Sequence, residues 1–317
     1  MRVAVSGANG FVGRALIPQL VLSGHQVLSY VRRSKKFAKT TGVIQLVAPD
    51  LSLHGDWRLS SGQGVDVFVH CAARVHVMSD TSADPLAEFR RVNVDGTVSL
   101  ARQAAAAGVK RFIYLSSIKV NGESTQLGRP FTAEDMPKPQ DPYGVSKYEA
   151  ERALLKIAEE TGMEVVIIRP PLVYGPGVKA NFASMMQIIQ RGVPLPLASV
   201  ASNQRSLVAL GNLVDLIAAC ISHPAAANQT LLVSDDEDIS TAELLWRMGQ
   251  ALKKPAKLFY VPNLLLQLGA ALLNKSEIYQ RLCGSLQVDI TKTKDLLHWR
   301  PPLSVDQGLR QLIKGEL

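Results

Sequence analysis

Tyr143 and Lys147 stand four residues apart in Asp141-Pro142-Tyr143-Gly144-Val145-Ser146-Lys147, a spacing that puts both on one face of a helix. A free phenol has a pKa of about 10 and is a poor base at neutral pH, and a nearby ammonium stabilises the phenolate. The pair can therefore move a proton to or from a bound oxygen. Asp141 suits the N-cap of that helix and Pro142 its first turn. A lone Tyr-x-x-x-Lys often arises by accident, so its weight depends on its surroundings. Upstream, an apolar run ends in Leu115-Ser116-Ser117, where a hydroxyl can hydrogen-bond the same oxygen.

A second chemical feature opens the chain. Gly7-Ala8-Asn9-Gly10-Phe11-Val12-Gly13 follows the apolar run Arg2 to Ser6 and leads into an amphipathic stretch. Glycines at a strand-to-helix junction allow a tight turn and close backbone approach, and the first helical N–H groups meet the charge of a pyrophosphate. The spacing is GxxGxxG where the general dinucleotide fingerprint reads GxGxxG. The next apolar run ends in Tyr30-Val31-Arg32-Arg33. With no carboxylate there for ribose hydroxyls and two cations suited to a 2′-phosphate, the tip favours NADP(H), with NAD(H) as the alternative.

These groups need a scaffold, and the pattern supplies one. Strands are predicted at Arg2 to Ser6, Gln26 to Val31, Val43 to Val47, Val65 to His70, Arg111 to Ser116 and Glu164 to Arg169. Several are apolar almost throughout, as parallel strands covered on both faces must be. Helices are clearest at Phe11 to Ser23, Pro85 to Ala107 and Tyr143 to Thr161. The predicted class is α/β, a Rossmann-type doubly wound parallel sheet over residues 1–169. After Arg169 the rhythm breaks into Pro- and Gly-rich segments and helices, so residues 170–317 are expected to form a smaller substrate-binding region, with some segments returning to the first.

Composition narrows the function classes. A chain of 317 residues, 47% hydrophobic and 20% charged, has enough apolar surface for a sizeable core. The net charge of +8 favours anionic ligands, but no basic stripe suited to nucleic acid is present. Cys71, Cys220 and Cys283 are too few and scattered for a disulfide framework or metal cluster, and are expected to be buried thiols. No metal site is expected; His70 has no partner at ligand spacing and reads as a hydrogen-bonded core residue. Strand one starts at once, leaving no room for a signal sequence, so a cytoplasmic location is expected. Leu264 to Leu273 is too short to span a bilayer and is expected to be a packed helix.

Taken together, the glycine loop, the serine and the Tyr-Lys pair resemble the extended short-chain dehydrogenases/reductases, the NAD-dependent epimerase/dehydratase family. The resemblance runs through the chain. Ser117-Ile118-Lys119-Val120-Asn121-Gly122 matches the S/TxxVYG stretch, selecting Ser117 over Ser116, with Asn121 in place of the usual Tyr. Arg169-Pro170-Pro171-Leu172-Val173-Tyr174-Gly175-Pro176-Gly177 resembles RPxxVYGPG, and Leu297-His298-Trp299-Arg300-Pro301 resembles the terminal LGWxP, with His298 where Gly is usual.

The resemblance implies Ser117, Tyr143 and Lys147 as catalytic residues and Asn93, within Arg91-Val92-Asn93-Val94-Asp95-Gly96-Thr97, as support. It implies cofactor contacts from Gly7, Asn9, Gly10, Phe11, Val12, Gly13, Arg32, Arg33, Asp50, Leu51, Cys71, Ala72, Ala73, Tyr143, Lys147 and Pro170. A nucleotide-linked sugar is the implied substrate, held by Ser117, Tyr143, Asn181, Arg205 and Arg281. Dehydratases of the family carry Asp-Glu after the catalytic Thr, whereas Ser117 is followed by Ile118-Lys119. That leaves two reactions at C4. Arg32 and Arg33 favour NADPH-dependent reduction of a UDP-4-keto-6-deoxy-N-acetylhexosamine for surface polysaccharide; NAD-dependent UDP-sugar 4-epimerisation is the alternative. A catalytically silent dinucleotide sensor is disfavoured by the intact Ser, Tyr and Lys. The family often dimerises through paired helices, here Pro85 to Ala107 and Tyr143 to Thr161.

Overall fold

Neighbouring residues of each central strand enter opposite apolar layers, which is why these strands carry so few polar side chains. Val3 and Val5 face one layer with Leu16, Leu20, Leu213 and Ile217. Ala4 faces the other with Phe68, Phe112, Leu100 and Leu154. The computed structural model describes residues 1–32, 41–53, 55–59, 64–75, 84–178, 181–273 and 275–314.

The first part of the chain forms β1 (Arg2–Ser6), α1 (Phe11–Leu22), β2 (Gln26–Val31), β3 (Val43–Val47), β4 (Val67–His70), α2 (Pro85–Arg90), α3 (Gly96–Ala106), β5 (Arg111–Leu115), α4 (Pro142–Thr161) and β6 (Glu164–Arg169). Beyond it lie β7 (Leu172–Tyr174), α5 (Asn181–Gln190), β8 (Arg205–Ala209), α6 (Leu210–Ser222), β9 (Thr230–Leu232) and β10 (Asp238–Ile239). The remainder is α7 (Thr241–Ala251), α8 (Asn263–Leu272), α9 (Ser276–Cys283), α10 (Thr291–Leu297) and α11 (Val305–Lys314).

Among the described residues, seven parallel strands form one sheet in the order β3-β2-β1-β4-β5-β6-β9. This is the predicted Rossmann-type class. Strand order reverses between β1 and β4, so a crevice opens beyond their carboxyl ends. A second sheet, β10-β8-β7, lies outside it, with its own apolar cluster from α5, α7 and α11. β9 ties the segments together, returning to pair with β6 in the first sheet. Leu286 bridges Arg205 and Val288 bridges Phe131, seaming the loop after β5 to β8.

Three expectations need correction. The helix predicted from Pro85 to Ala107 is broken by a π-helical turn at Arg91–Asp95, which a helical period alone does not reveal. Leu264 to Leu273 is helical as α8, yet none of that helix's residues is buried. Only Cys220 of the three free thiols is buried; Cys71 and Cys283 are partly exposed. Among the described residues, no helix is long and apolar enough to cross a membrane.

Candidate active site

The glycine loop closes on the end of β4. Gly7 has φ +66°, and a Cβ there would sit 2.8 Å from the Ala72 nitrogen. At Gly13 a Cβ would lie on the Gly7 carbonyl oxygen and 2.8 Å from the Ala8 Cα, so helix and loop touch through bare backbone. Gly10 is the N-cap of α1, and no side chain caps the helix. The first-turn N–H groups are thus directed at the crevice without a side-chain acceptor, an arrangement suited to an anion. Asn9, Phe11 and Val12 are partly buried around the same turn, and Cys71, Ala72 and Ala73 border it.

At the far side of the crevice Asp50 is exposed and accepts hydrogen bonds from the Ser52 nitrogen and hydroxyl at 2.8 and 2.7 Å. Those bonds hold its carboxyl below the usual range, and Arg32 and Arg91 add to the effect. Leu51 packs over Gly96, where a Cβ would meet the Leu51 side chain at 2.9 Å. Arg32 is exposed at the tip of β2. Arg33, the other cation expected there, lies outside the described residues.

Asp141 caps α4, its Oδ1 accepting from the Gly144 nitrogen at 2.6 Å, and Pro142 takes the first helical position. That start sets the register of Tyr143 and Lys147. The Lys147 ammonium donates to the Leu115 carbonyl at 2.8 Å and lies 4.5 Å from the Tyr114 ring centroid and 5.9 Å from that of Tyr143. Burial pulls its pKa down to about 7, opposed by Glu151 and Cys71. Burial and Asp141 push the Tyr143 phenol up, while a hydrogen bond with Ser117 pulls it down. Serine, phenol and ammonium are therefore contiguous at the end of β5. Such a trio can transfer a proton to an oxygen seated between them.

The two serines diverge. Ser116 Oγ donates to Glu151 at 2.5 Å, and Glu151 receives two further hydrogen bonds from Arg169 at 2.9 and 2.5 Å. Arg169 also donates to Asn121 Oδ1 at 3.0 Å, and Asn121 Nδ2 donates to the Thr132 carbonyl at 2.8 Å. Asn121, the departure from the expected motif, thus completes a buried network behind Ser117. Pro170 is buried at its edge, its carbonyl accepting from the Ile118 nitrogen at 3.0 Å.

Asn93 sits in the π-turn, 1% exposed. Its side chain exchanges hydrogen bonds with the Arg74 backbone at 2.8 and 3.0 Å and donates to Ser146 Oγ at 3.0 Å. It fastens the chain beyond β4 to α4. His70 is 1% exposed, bonded at 2.6 Å to Ser6 and 3.1 Å to Thr97. Burial, helped by Lys147, lowers its pKa to about 3, so it is neutral. No group of three His, Cys, Asp or Glu among the described residues could hold a metal ion.

Arg205, at the start of β8, donates to the Gly284 carbonyl at 2.9 Å, and burial lowers its pKa. No carboxylate pairs with it among the described residues. Arg281 is exposed on α9. Asn181 begins α5, and its side chain lies outside the described residues.

Sequence reasoning missed Lys119, whose ammonium donates to Asp141 at 2.5 Å and to Glu123 at 2.9 Å. The separation of 22 positions between Lys119 and Asp141 gave no periodic signal. Glu151 was also missed, although Tyr143, Lys147 and Glu151 fall at i, i+4 and i+8 on one helix face.

The sequence matches the model of the NAD dependent epimerase/dehydratase family over residues 3–233. It is 50% identical over 316 residues to a UDP-glucose 4-epimerase of Vibrio cholerae, covering 99% of this chain and 95% of that protein. The fold is similar to the UDP-glucuronic acid 4-epimerase of Bacillus cereus in complex with NAD, with TM-score 0.78 and 19% identity over 99% of this chain and 96% of the other. It is also similar to the UDP-glucose 4-epimerase of Thermotoga maritima with UDP-glucose, with TM-score 0.77 and 20% identity over 100% and 98%.

Proposed function

We propose that the chain, which belongs to the NAD dependent epimerase/dehydratase family, is an NAD-dependent 4-epimerase of a UDP-linked hexose. The carrying observation is the 50% identity, along almost the whole chain, to a UDP-glucose 4-epimerase. The reading reverses the order of the two reactions expected at C4 and favours NAD over NADP(H).

The residues fit a dinucleotide. Bare backbone at Gly7 and Gly13 and the uncapped start of α1 suit a pyrophosphate. Gly10, Asn9, Phe11 and Val12 complete that turn, Asp50 and Leu51 hold the adenosine end, and Cys71, Ala72, Ala73 and Pro170 line the remainder. Arg32 acts electrostatically on Asp50, which tempers it as a receptor for a 2′-phosphate. NAD in the similar Bacillus cereus epimerase supports the same choice. When bound, NAD supplies the two-electron acceptor and donor that epimerisation needs.

The chain's own groups manage the proton. Tyr143, as phenolate, takes the proton of the C4 hydroxyl and returns it when the carbonyl is reduced on its other face. Ser117 hydrogen-bonds that oxygen, Lys147 stabilises the phenolate and holds the nicotinamide ribose, and Asn93 keeps α4 in place. Arg205, with Arg281 and Asn181, meets the nucleotide diphosphate; Arg205 is a partly buried cation without a carboxylate partner among the described residues, which suits an anion. Residues 170–317 form the substrate region, with β9 returning to the first sheet. A homodimer through α2, α3 and α4 completes the proposal, acting where cytoplasmic NAD and UDP-sugars are available.

The exposed cation Arg32 favours one second reading, NADPH-dependent reduction of a UDP-4-keto-6-deoxy-N-acetylhexosamine. Purified protein assayed with UDP-glucose, UDP-galactose and their N-acetyl counterparts decides between them. Epimerisation predicts interconversion with retained NAD and no net cofactor consumption. Stoichiometric NADPH oxidation by the 4-keto sugar, without interconversion, would overturn it.

A further inference from the structure

α8 is a helix without a charged residue, Asn263–Leu272, and none of its side chains is buried. Leu264, Leu265, Leu268 and Leu272 are 66, 57, 52 and 85% exposed, and Leu273 just beyond is 68% exposed. A Cβ built on Gly269 would meet nothing within 4 Å. In water this costs hydrophobic free energy that a packed helix would recover. Tyr260 and Phe259 before it and Ile278 on α9 extend the exposed apolar surface.

The flanks identify what covers it. Between residues 253 and 283 stand Lys253, Lys254, Lys257, Lys275 and Arg281, against one acid, Glu277. The four lysines are exposed, and none is in an ion pair among the described residues. Lys275 closes the end of α8, its backbone N–H donating to the Ala270 carbonyl at 2.7 Å. Leucines on a short uncharged helix, aromatic rings beside it and cations on both sides match a bilayer interface: acyl chains, then carbonyls, then anionic headgroups. At about 1.5 Å per residue the helix reaches about half the hydrocarbon thickness, so it can lie in a leaflet surface and cannot cross it. The helices proposed for dimerisation lie elsewhere, in α2, α3 and α4.

We propose that α8 and its lysines dock this protein on membrane surfaces rich in anionic lipid. α9 then joins that surface to Gly284, whose carbonyl holds Arg205, so docking sets the substrate region next to the bilayer. The proposal is independent of which sugar is used.

The test is co-sedimentation of the full chain with vesicles of phosphatidylcholine alone or with about 30 mol % phosphatidylglycerol. Binding to the anionic vesicles should be at least about tenfold stronger, and should weaken as salt rises from about 0.1 to 0.5 M. The double variant Leu268→Glu, Leu272→Glu should lose about tenfold or more in binding with unchanged circular dichroism and melting. Lys253→Glu with Lys257→Glu should do the same without touching the helix. Equal binding by wild type and both variants, or no binding to either vesicle, overturns the proposal. So does sedimentation equilibrium in which wild type loses mass on Leu268→Glu while neither protein binds vesicles, because a second copy then covers α8.

Discussion

The Lys119 ammonium grips the carboxylate of Asp141, 2.5 Å away, at the residue that caps the helix bearing Tyr143. One contact therefore sets both the position of the helix start and the charge facing the phenol. Asp141 raises the Tyr143 pKa, and a cation on Asp141 counters that influence.

Lys119→Met should leave Asp141 without this cation and move the phenol further up. The limb of the pH profile of kcat that rises as the phenol ionises should shift to higher pH by about half a unit or more, and Lys119→Arg should restore it. A fall in kcat with an unmoved profile would mean that Lys119 acts only on the fold.

Tyr143→Phe removes the proton carrier but keeps the ring that packs edge-on to Phe89 at 5.9 Å. Turnover should fall by about 10²-fold or more, while NADH affinity, followed by fluorescence titration, stays near that of wild type. Retained turnover would remove Tyr143 from the chemistry.

Lys147 is 2% exposed, with a pKa pulled down to about 7 from 10.5 by burial. The unfolded chain therefore binds more protons than the folded one between those values, and this group's contribution to stability rises with pH across that window. Lys147→Met should melt at a higher temperature than wild type near pH 7, with the advantage shrinking toward pH 10, and should be inactive. Calorimetry at several pH values gives the comparison; a constant offset would contradict the assignment of burial as the cause.

Glu151 and Arg169 form a buried pair, with side chains 3% and 6% exposed. Glu151→Gln leaves the guanidinium charge uncompensated and should cost about 3–5 kcal/mol in urea unfolding. The amide keeps one oxygen to accept from Ser116 but turns an N–H donor toward a guanidinium nitrogen of Arg169, so the end of β5 should loosen and kcat should fall with stability. A loss under about 1 kcal/mol would show that the pair is solvated.

Much of this was legible because it is local. The apolar runs from Arg2 to Ser6 and from Glu164 to Arg169 became β1 and β6 with unchanged bounds, since a strand covered on both faces must be apolar over its length. Asp141 and Pro142 announced the start of α4 because caps act within one turn. The spacing of Tyr143 and Lys147, and the glycines opening α1, belong to the same class of short-range information.

Other features depend on residues far apart in the chain. Lys119 meets Asp141, Arg169 meets Asn121, and Arg205 meets the Gly284 carbonyl, pairings without a period because two loops, or a strand and a distant segment, create them. The π-turn around Asn93 reflects its tie to Arg74 and Ser146. The apolar stretch at α8 looked like core because hydropathy records only what a side chain prefers. Whether it finds a neighbour is decided by packing, and there the tertiary structure leaves its leucines facing outward.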